Sequence, residues 1–532
     1  MSHIYNTYMR VCSAVFVVLA LVACDSYLDK LPDDRAEIDT ESKVTKLLVS
    51  AYPQVSSIVI AEMSSDNVDD NGAQYGTSPD LDELYRFKDV SSESFDTPRF
   101  FWNSCYMTLA TANEALAAID EMGNPSSLSA QRAEALLCRA LNMFQMVNVF
   151  CMAYNPDSAS VYLGLPYPTK PEEKVGQHYE RGTLEATYAQ IAADIEAALP
   201  YVNDQIYTVP KYHFNQKAAY AFAARFYLYY QKYDKCVEYA DKVLGTNPTD
   251  YMRNLAPYMT LGYQDFYNRY IQSGENCNLY LMPCYSIAGR ILRGSYPRYC
   301  HNYSTTCNET YLARAPWNAT SGTLSNNLLT IGNQLYGTDR CLFVPKMLET
   351  FEFTDKVLQS GRPHIVDTYF TGDETLLCRA EAYALLKDSV HALQDMNVWC
   401  RMNLDAASGS MVRTELTMSS VNTFMNRLKY ALVTPVEDTD HSIRKVMHPQ
   451  GSALTAILED TNTENLIQLI LHMRRITTMF QGLRFFDVKR YGIEFTHKVD
   501  KENPIVFKAG DLRGAIQLPT DVINAGLEAN PR

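Results

Sequence analysis

One stretch near the end of the chain constrains the fold more than any other. An apolar stripe at helical spacing runs through Leu466, Leu469, Ile470, Met473, Ile476, Phe480 and Leu483, which predicts a largely buried helix. Thr461-Asn462-Thr463-Glu464, at its start, has the spacing of a capping box. Gly482 weakens a helix by roughly 1 kcal/mol relative to Ala. The segment therefore predicts a long helix, a hinge, and a short helix closed by Lys489, Arg490 and Gly492. In the short helix Arg484 and Asp487, and Asp487 and Arg490, lie three apart and can pair on one face.

The run Arg474-Arg475-Ile476, then Phe480-Gln481-Gly482-Leu483-Arg484-Phe485-Phe486-Asp487-Val488-Lys489-Arg490-Tyr491-Gly492, resembles the C-terminal signature of the SusD/RagB family. These are surface lipoproteins of Bacteroidetes that capture nutrients for an outer-membrane transporter. The chain keeps the arginines, both glycines and the Arg-Phe-Phe-Asp core. It departs at three acids of the signature, where it has Met473, Thr477 and Gln481, and it carries Tyr491 for Trp. Buried arginines then need partners from elsewhere. The motif reads as core that identifies a family, not as an active site.

At the other end, Arg10 precedes an apolar run of 11 residues, Val11 to Leu21. That is too short to span a bilayer and fits a signal-peptide core over residues 1–23. Leu21-Val22-Ala23-Cys24 then resembles a bacterial lipobox, with Cys24 as the acylated first residue of the mature protein. Residues 1–8 are long for a leading segment, so both Met1 and Met9 stand as starts. The following Asp25-Ser26-Tyr27-Leu28-Asp29 and Pro32 read as an extended tether and are similar to the family's opening.

Residues 62–99 form a long polar segment with little periodicity, and loops of this length in compact proteins are commonly functional. Asn67, Asp69, Asn71 and Gly72 have the spacing that opens a calcium loop, but the twelfth position is Ser78 where a bidentate Glu is required. No metal is assigned. The family resemblance implies that ligand contacts come largely from loops in this region, which makes Asp66 and Tyr75 candidates. Phe100-Phe101-Trp102, with Tyr106, Leu109 and Asn113, opens a helix similar to a family pattern; Trp102 at its entrance faces either core or ligand.

Residues 214–248 read as a helix pair. Ala224, Tyr227, Cys236, Ala240 and Pro248 have tetratricopeptide spacing, and Ala380, Tyr383, Ala392 and Met396 repeat it over 373–403. With helices over 129–150 and 183–200, the fold class is all-α, a tetratricopeptide-like scaffold of stacked helical hairpins with long irregular excursions. Residues 24–532 make one SusD-like domain, its scaffold about 42–250 and 373–532 and its loop-rich excursion about 251–372. Within the excursion Tyr296, Tyr299 and Trp317 stand beside arginines, as flat rings on which sugar C–H faces stack. Trp317→Ala is expected to weaken glycan affinity without unfolding the protein. Cys277, Cys284, Cys300 and Cys307 form two equally spaced pairs; an exported location permits a disulfide, and the spacing is wider than a four-thiolate zinc site uses.

No GxSxG, HExxH, P-loop or GxGxxG occurs, no cofactor is implied, and the formal charge of −14 excludes the basic field that nucleic acid requires. The reading is a non-enzymatic, lipid-anchored protein of the outer-membrane surface. By resemblance it binds oligosaccharide or polysaccharide and delivers it to a SusC-like TonB-dependent transporter. A RagB-like peptide binder and a surface glycoside hydrolase are the alternatives.

Overall fold

The computed structural model describes residues 38–172, 174, 176–294 and 297–532. The expected signal peptide, the lipidation site Cys24 and the candidate Tyr296 lie outside the described residues. The order begins α1 (Glu41–Leu48), α2 (Ile58–Met63), β1 (Asp69–Asp70), α3 (Pro79–Tyr85), α4 (Pro98–Glu121), α5 (Ser129–Phe150), α6 (Leu184–Ala198), α7 (Gln216–Tyr229) and α8 (Tyr233–Leu244). The excursion holds β2 (Asn278–Tyr285), β3 (Tyr299–Cys300), α9 (Tyr303–Glu309), β4 (Tyr336–Thr338), β5 (Cys341–Phe343), β6 (Thr350–Asp355) and β7 (Ser360–Thr371). The scaffold resumes with α10 (Gly372–Leu385), α11 (Ser389–Asn403), α12 (Thr461–Thr477) and α13 (Leu483–Tyr491).

Helix starts follow side-chain chemistry. Thr97, Thr183, Asn215 and Thr371 each cap the first turn of their helix through an oxygen that accepts a backbone N–H. Helices adjacent in sequence then pack as hairpins. α4 lies on α5, α5 on α6, α7 on α8 and α10 on α11, while α8 and α12 both pack against α10. The two segments with matching small-residue spacing are thus consecutive hairpins in contact, and Ala224, Ala240, Ala380 and Ala392 are all fully buried where the helices close up.

The expectation of an all-α chain is corrected in the excursion: the fold is predominantly helical, with small sheets. Among the described residues the largest is antiparallel and three-stranded, in the order β2-β7-β6. Pro283 obscures β2 in the sequence, and it is tolerated because β2 is an edge strand. The disulfide joins Cys300 to Cys341, a partner outside the four cysteines singled out by spacing; Cys277, Cys284 and Cys307 are free and buried.

The C-terminal segment folds as a long helix, a break and a short helix. Two details differ from expectation. The cap of α12 is Asp460, whose carboxylate accepts from Thr463 N–H at 3.1 Å, and Arg484 leaves Asp487 for a distant acid. Gly482 has φ 75°, a left-handed conformation that favours glycine; a Cβ there would lie 3.1 Å from that of Ala61, and its N–H donates to Glu62 Oε1 at 2.9 Å. The missing signature acids are replaced from α10: Arg474, fully buried, lies 3.4 Å from Glu374 and Glu381 and 3.2 Å from Asp487.

Candidate functional site at a junction of two loops

The loop after α2 and the excursion meet. β1 pairs antiparallel with β3, Asp69 opposite Cys300 and Asp70 opposite Tyr299, and Gly76 forms a parallel bridge with Pro297. Asn71 closes the junction. Its side-chain amide donates to Pro297 O at 2.9 Å and to Arg340 O at 2.7 Å, so one residue holds the β3 approach and the β4–β5 turn together. Asp70 turns the chain by accepting from Gly72 N–H at 2.8 Å, binds the Arg298 guanidinium at 3.0 Å, and accepts from Asp500 N–H at 3.0 Å.

Tyr75 and Tyr299, both chosen from sequence, are brought to this junction in different roles. The Tyr299 ring stacks on Tyr85 at 4.0 Å, and Tyr85 stacks on His497 at 4.0 Å. The three rings make a buried column, and the Tyr299 hydroxyl donates to Asp82 at 2.5 Å. Burial, and then the Asp82 carboxylate, push the Tyr299 phenol up from its ordinary value, so it stays protonated and a donor. Tyr299 therefore supports the junction. Tyr75 is half-buried, with the guanidinium of the exposed Arg340 at 5.4 Å from its ring centroid. Tyr303, on the first turn of α9, adds a second exposed ring on the excursion side.

Beneath this surface lies the third sequence candidate. Asp66 is buried, and Arg484 Nε and Nη2 reach its carboxylate at 2.7 and 2.8 Å. Arg475 donates to the Asp66 carbonyl at 2.6 Å and to Glu309 at 2.9 Å, and Lys445 completes the cluster on Glu309 at 2.6 Å. Burial alone would raise the Asp66 carboxyl; Arg475, Arg484 and Lys445 outweigh it and hold the group well below the usual carboxylate range. Asp66 anchors the loop and presents no free oxygen to a ligand. The calcium-like spacing dissolves in the same way: Asn67 is spent on Glu62 and Arg475, and Asn71 on two carbonyls.

Trp317 is corrected from a loop platform to core. It is 2% exposed, its ring stacked 5.6 Å from His472 and tilted against Trp399 at 5.3 Å. Trp102 is nearly buried, edge-on to Phe150 at 5.1 Å. It forms one wall of a separate cleft of about 690 Å³, with Tyr106, Pro168, Lys170, Tyr179 and Leu527 among the others. Arg340 was missed in the sequence, since nothing in a lone Arg in a turn marks it as the neighbour of a Tyr 265 positions earlier.

Residues 26–228 match the SusD-like family described as starch-binding and associating with the outer membrane. The whole fold agrees. A Bacteroides vulgatus protein superposes with TM-score 0.62 at 14% identity, over 93% of this chain and 99% of its own. A SusD superfamily protein of Bacteroides thetaiotaomicron gives 0.57 at 17% identity, over 92% and 98%. This chain has the SusD-like fold. A laminarin-binding SusD-like protein shares the fold with TM-score 0.54 at 15% identity, over 93% of this chain and 99% of its own. Comparison with curated protein sequences gave no match.

Proposed function

We propose that this SusD-like protein holds oligosaccharide or polysaccharide at the junction of its two loops and does not cleave it. The observation that carries this reading is the half-exposed Tyr75 ring beside Arg340, at the junction that the buried column Tyr299–Tyr85–His497 supports. An aromatic face accepts the C–H side of a sugar while neighbouring polar groups take its hydroxyls, and a braced platform loses little freedom on binding. The family description and the laminarin-binding relative support a glycan over a peptide. In this reading residues 1–23 are removed and Cys24 is acylated. Residues 24–532 then stand as one tetratricopeptide-like unit on the cell surface and pass the glycan to a SusC-like TonB-dependent transporter.

The test uses the soluble protein beginning at Asp25 on a glycan array, followed by calorimetric titration of each hit. Tyr75→Ala is expected to weaken binding at least tenfold with an unchanged melting temperature, and no new reducing ends should appear on incubation. Binding confined to peptides, or release of reducing ends, overturns the reading.

A further inference from the structure

The loop junction is rich in acids, and it distributes them unevenly. Arg298 is held by Asp70 at 3.0 Å. Arg86 takes Asp82 at 2.8 Å and Glu502 at 2.7 Å. Asp69 is met by the Asn302 amide at 3.3 Å, and Asp500 accepts from Ala73 N–H at 3.0 Å. Arg340 stands apart. Among the described residues its guanidinium makes no ion pair and no side-chain hydrogen bond, and it lies over the Tyr75 ring. An exposed arginine ordinarily gains little from a surface carboxylate, but here the acids of the junction are committed elsewhere while the fork beside the aromatic ring is left open.

The backbone of Arg340 is fixed in place. Its own carbonyl is held by Asn71 at 2.7 Å, its N–H donates to Thr338 Oγ1 at 3.3 Å, and the next residue, Cys341, is joined to Cys300. The planar guanidinium of such a residue matches two oxygens of a carboxylate or sulfate side by side, and it lies flat against rings. Resting on the glycan-binding reading above, we infer that the saccharide bound at this junction is anionic: its ring lies along Tyr75 and its carboxylate or sulfate takes two side-by-side N–H groups of Arg340. The adjacent Asp339 is exposed, so salt screens its repulsion over about 8 Å, whereas the Arg340 pair is in direct contact.

Calorimetric titration of the protein from Asp25 decides this with three probes: oligogalacturonate for a carboxylate, a sulfated galactan oligosaccharide for a sulfate, and laminarin oligosaccharide as the neutral member. The wild type should bind one of the anionic probes more tightly than the neutral one. Arg340→Gln should then weaken that anionic probe by roughly tenfold, as loss of a charge-assisted pair does, and weaken the neutral probe by a clearly smaller factor; Arg340→Lys should recover part of the anionic loss. Which anionic probe responds identifies the group. An unchanged affinity of Arg340→Gln for every anionic probe, or a wild type that prefers the neutral probe, overturns the anionic assignment and leaves glycan binding standing. Absence of binding to all three by the wild type overturns both.

Discussion

Arg484 reaches Asp66 across 418 positions of sequence, its Nε 2.7 Å from Oδ1, and both side chains are almost wholly buried. Removing one partner leaves the other charge buried without compensation. Asp66→Ala should therefore destabilise the protein by about 3–5 kcal/mol, read as a lower urea midpoint. The same pair sets a pH dependence. The folded carboxyl is held below the unfolded value of about 3.9, so its contribution is complete above that pH and is lost as pH falls through the folded value. Acid titration of unfolding should show a shallower decline below about pH 4 for Asp66→Asn than for the wild type.

Trp317 packs on His472 and Trp399 in the interior. Truncation opens a large cavity, and Trp317→Ala should cost about 3–5 kcal/mol. Its melting temperature should fall, and any change in saccharide affinity should vanish at temperatures where the variant remains folded.

Cys300 and Cys341 close a loop across 41 positions. Such a link restricts the unfolded chain by about 4 kcal/mol in the chain-entropy account. Replacing both residues by Ser should lower unfolding stability by up to that amount, measured against the unreduced wild type by urea titration.

Lys346 donates to Ile476 O at 3.1 Å and Thr477 O at 3.0 Å, at the last turn of α12. Burial, with Arg253 close by, pushes its ammonium down to about 7. Between that value and the unfolded lysine's ordinary value of about 10.4 the unfolded chain binds a proton that the folded chain does not. Stability from this group therefore rises with pH. Unfolding at pH 7.5 and 9.5 should show the wild type gaining about 1 kcal/mol per pH unit relative to Lys346→Met.

The helices were legible because apolar periodicity and caps are local properties. α12, its break and α13 follow from the stripe at Leu466–Leu483 and from Gly482, and the hairpin spacing at Ala224 and Ala380 placed the scaffold. Partner choice was not legible. Arg484 has Asp487 within reach along its own helix, yet it takes Asp66, because tertiary packing brings the two together and no sequence spacing records that. Trp317 misled for a related reason: irregular chain around it suggested exposure, while its cover comes from His472 and Trp399 on distant helices. The junction itself was half visible. The polar loop at 62–99 and the tyrosines of the excursion both stood out, but β1 and β3, two residues each, are too short to leave an alternation that joins them.

The ties between the ends of the chain bear on when it can fold. Glu62 and Asp66 receive Gly482 and Arg484, so these two contacts wait until residues 482–484 have been synthesised. The helical hairpins between can pack as they emerge, whereas the seam between residues 62–66 and 482–484 closes late, when both of its sides are present.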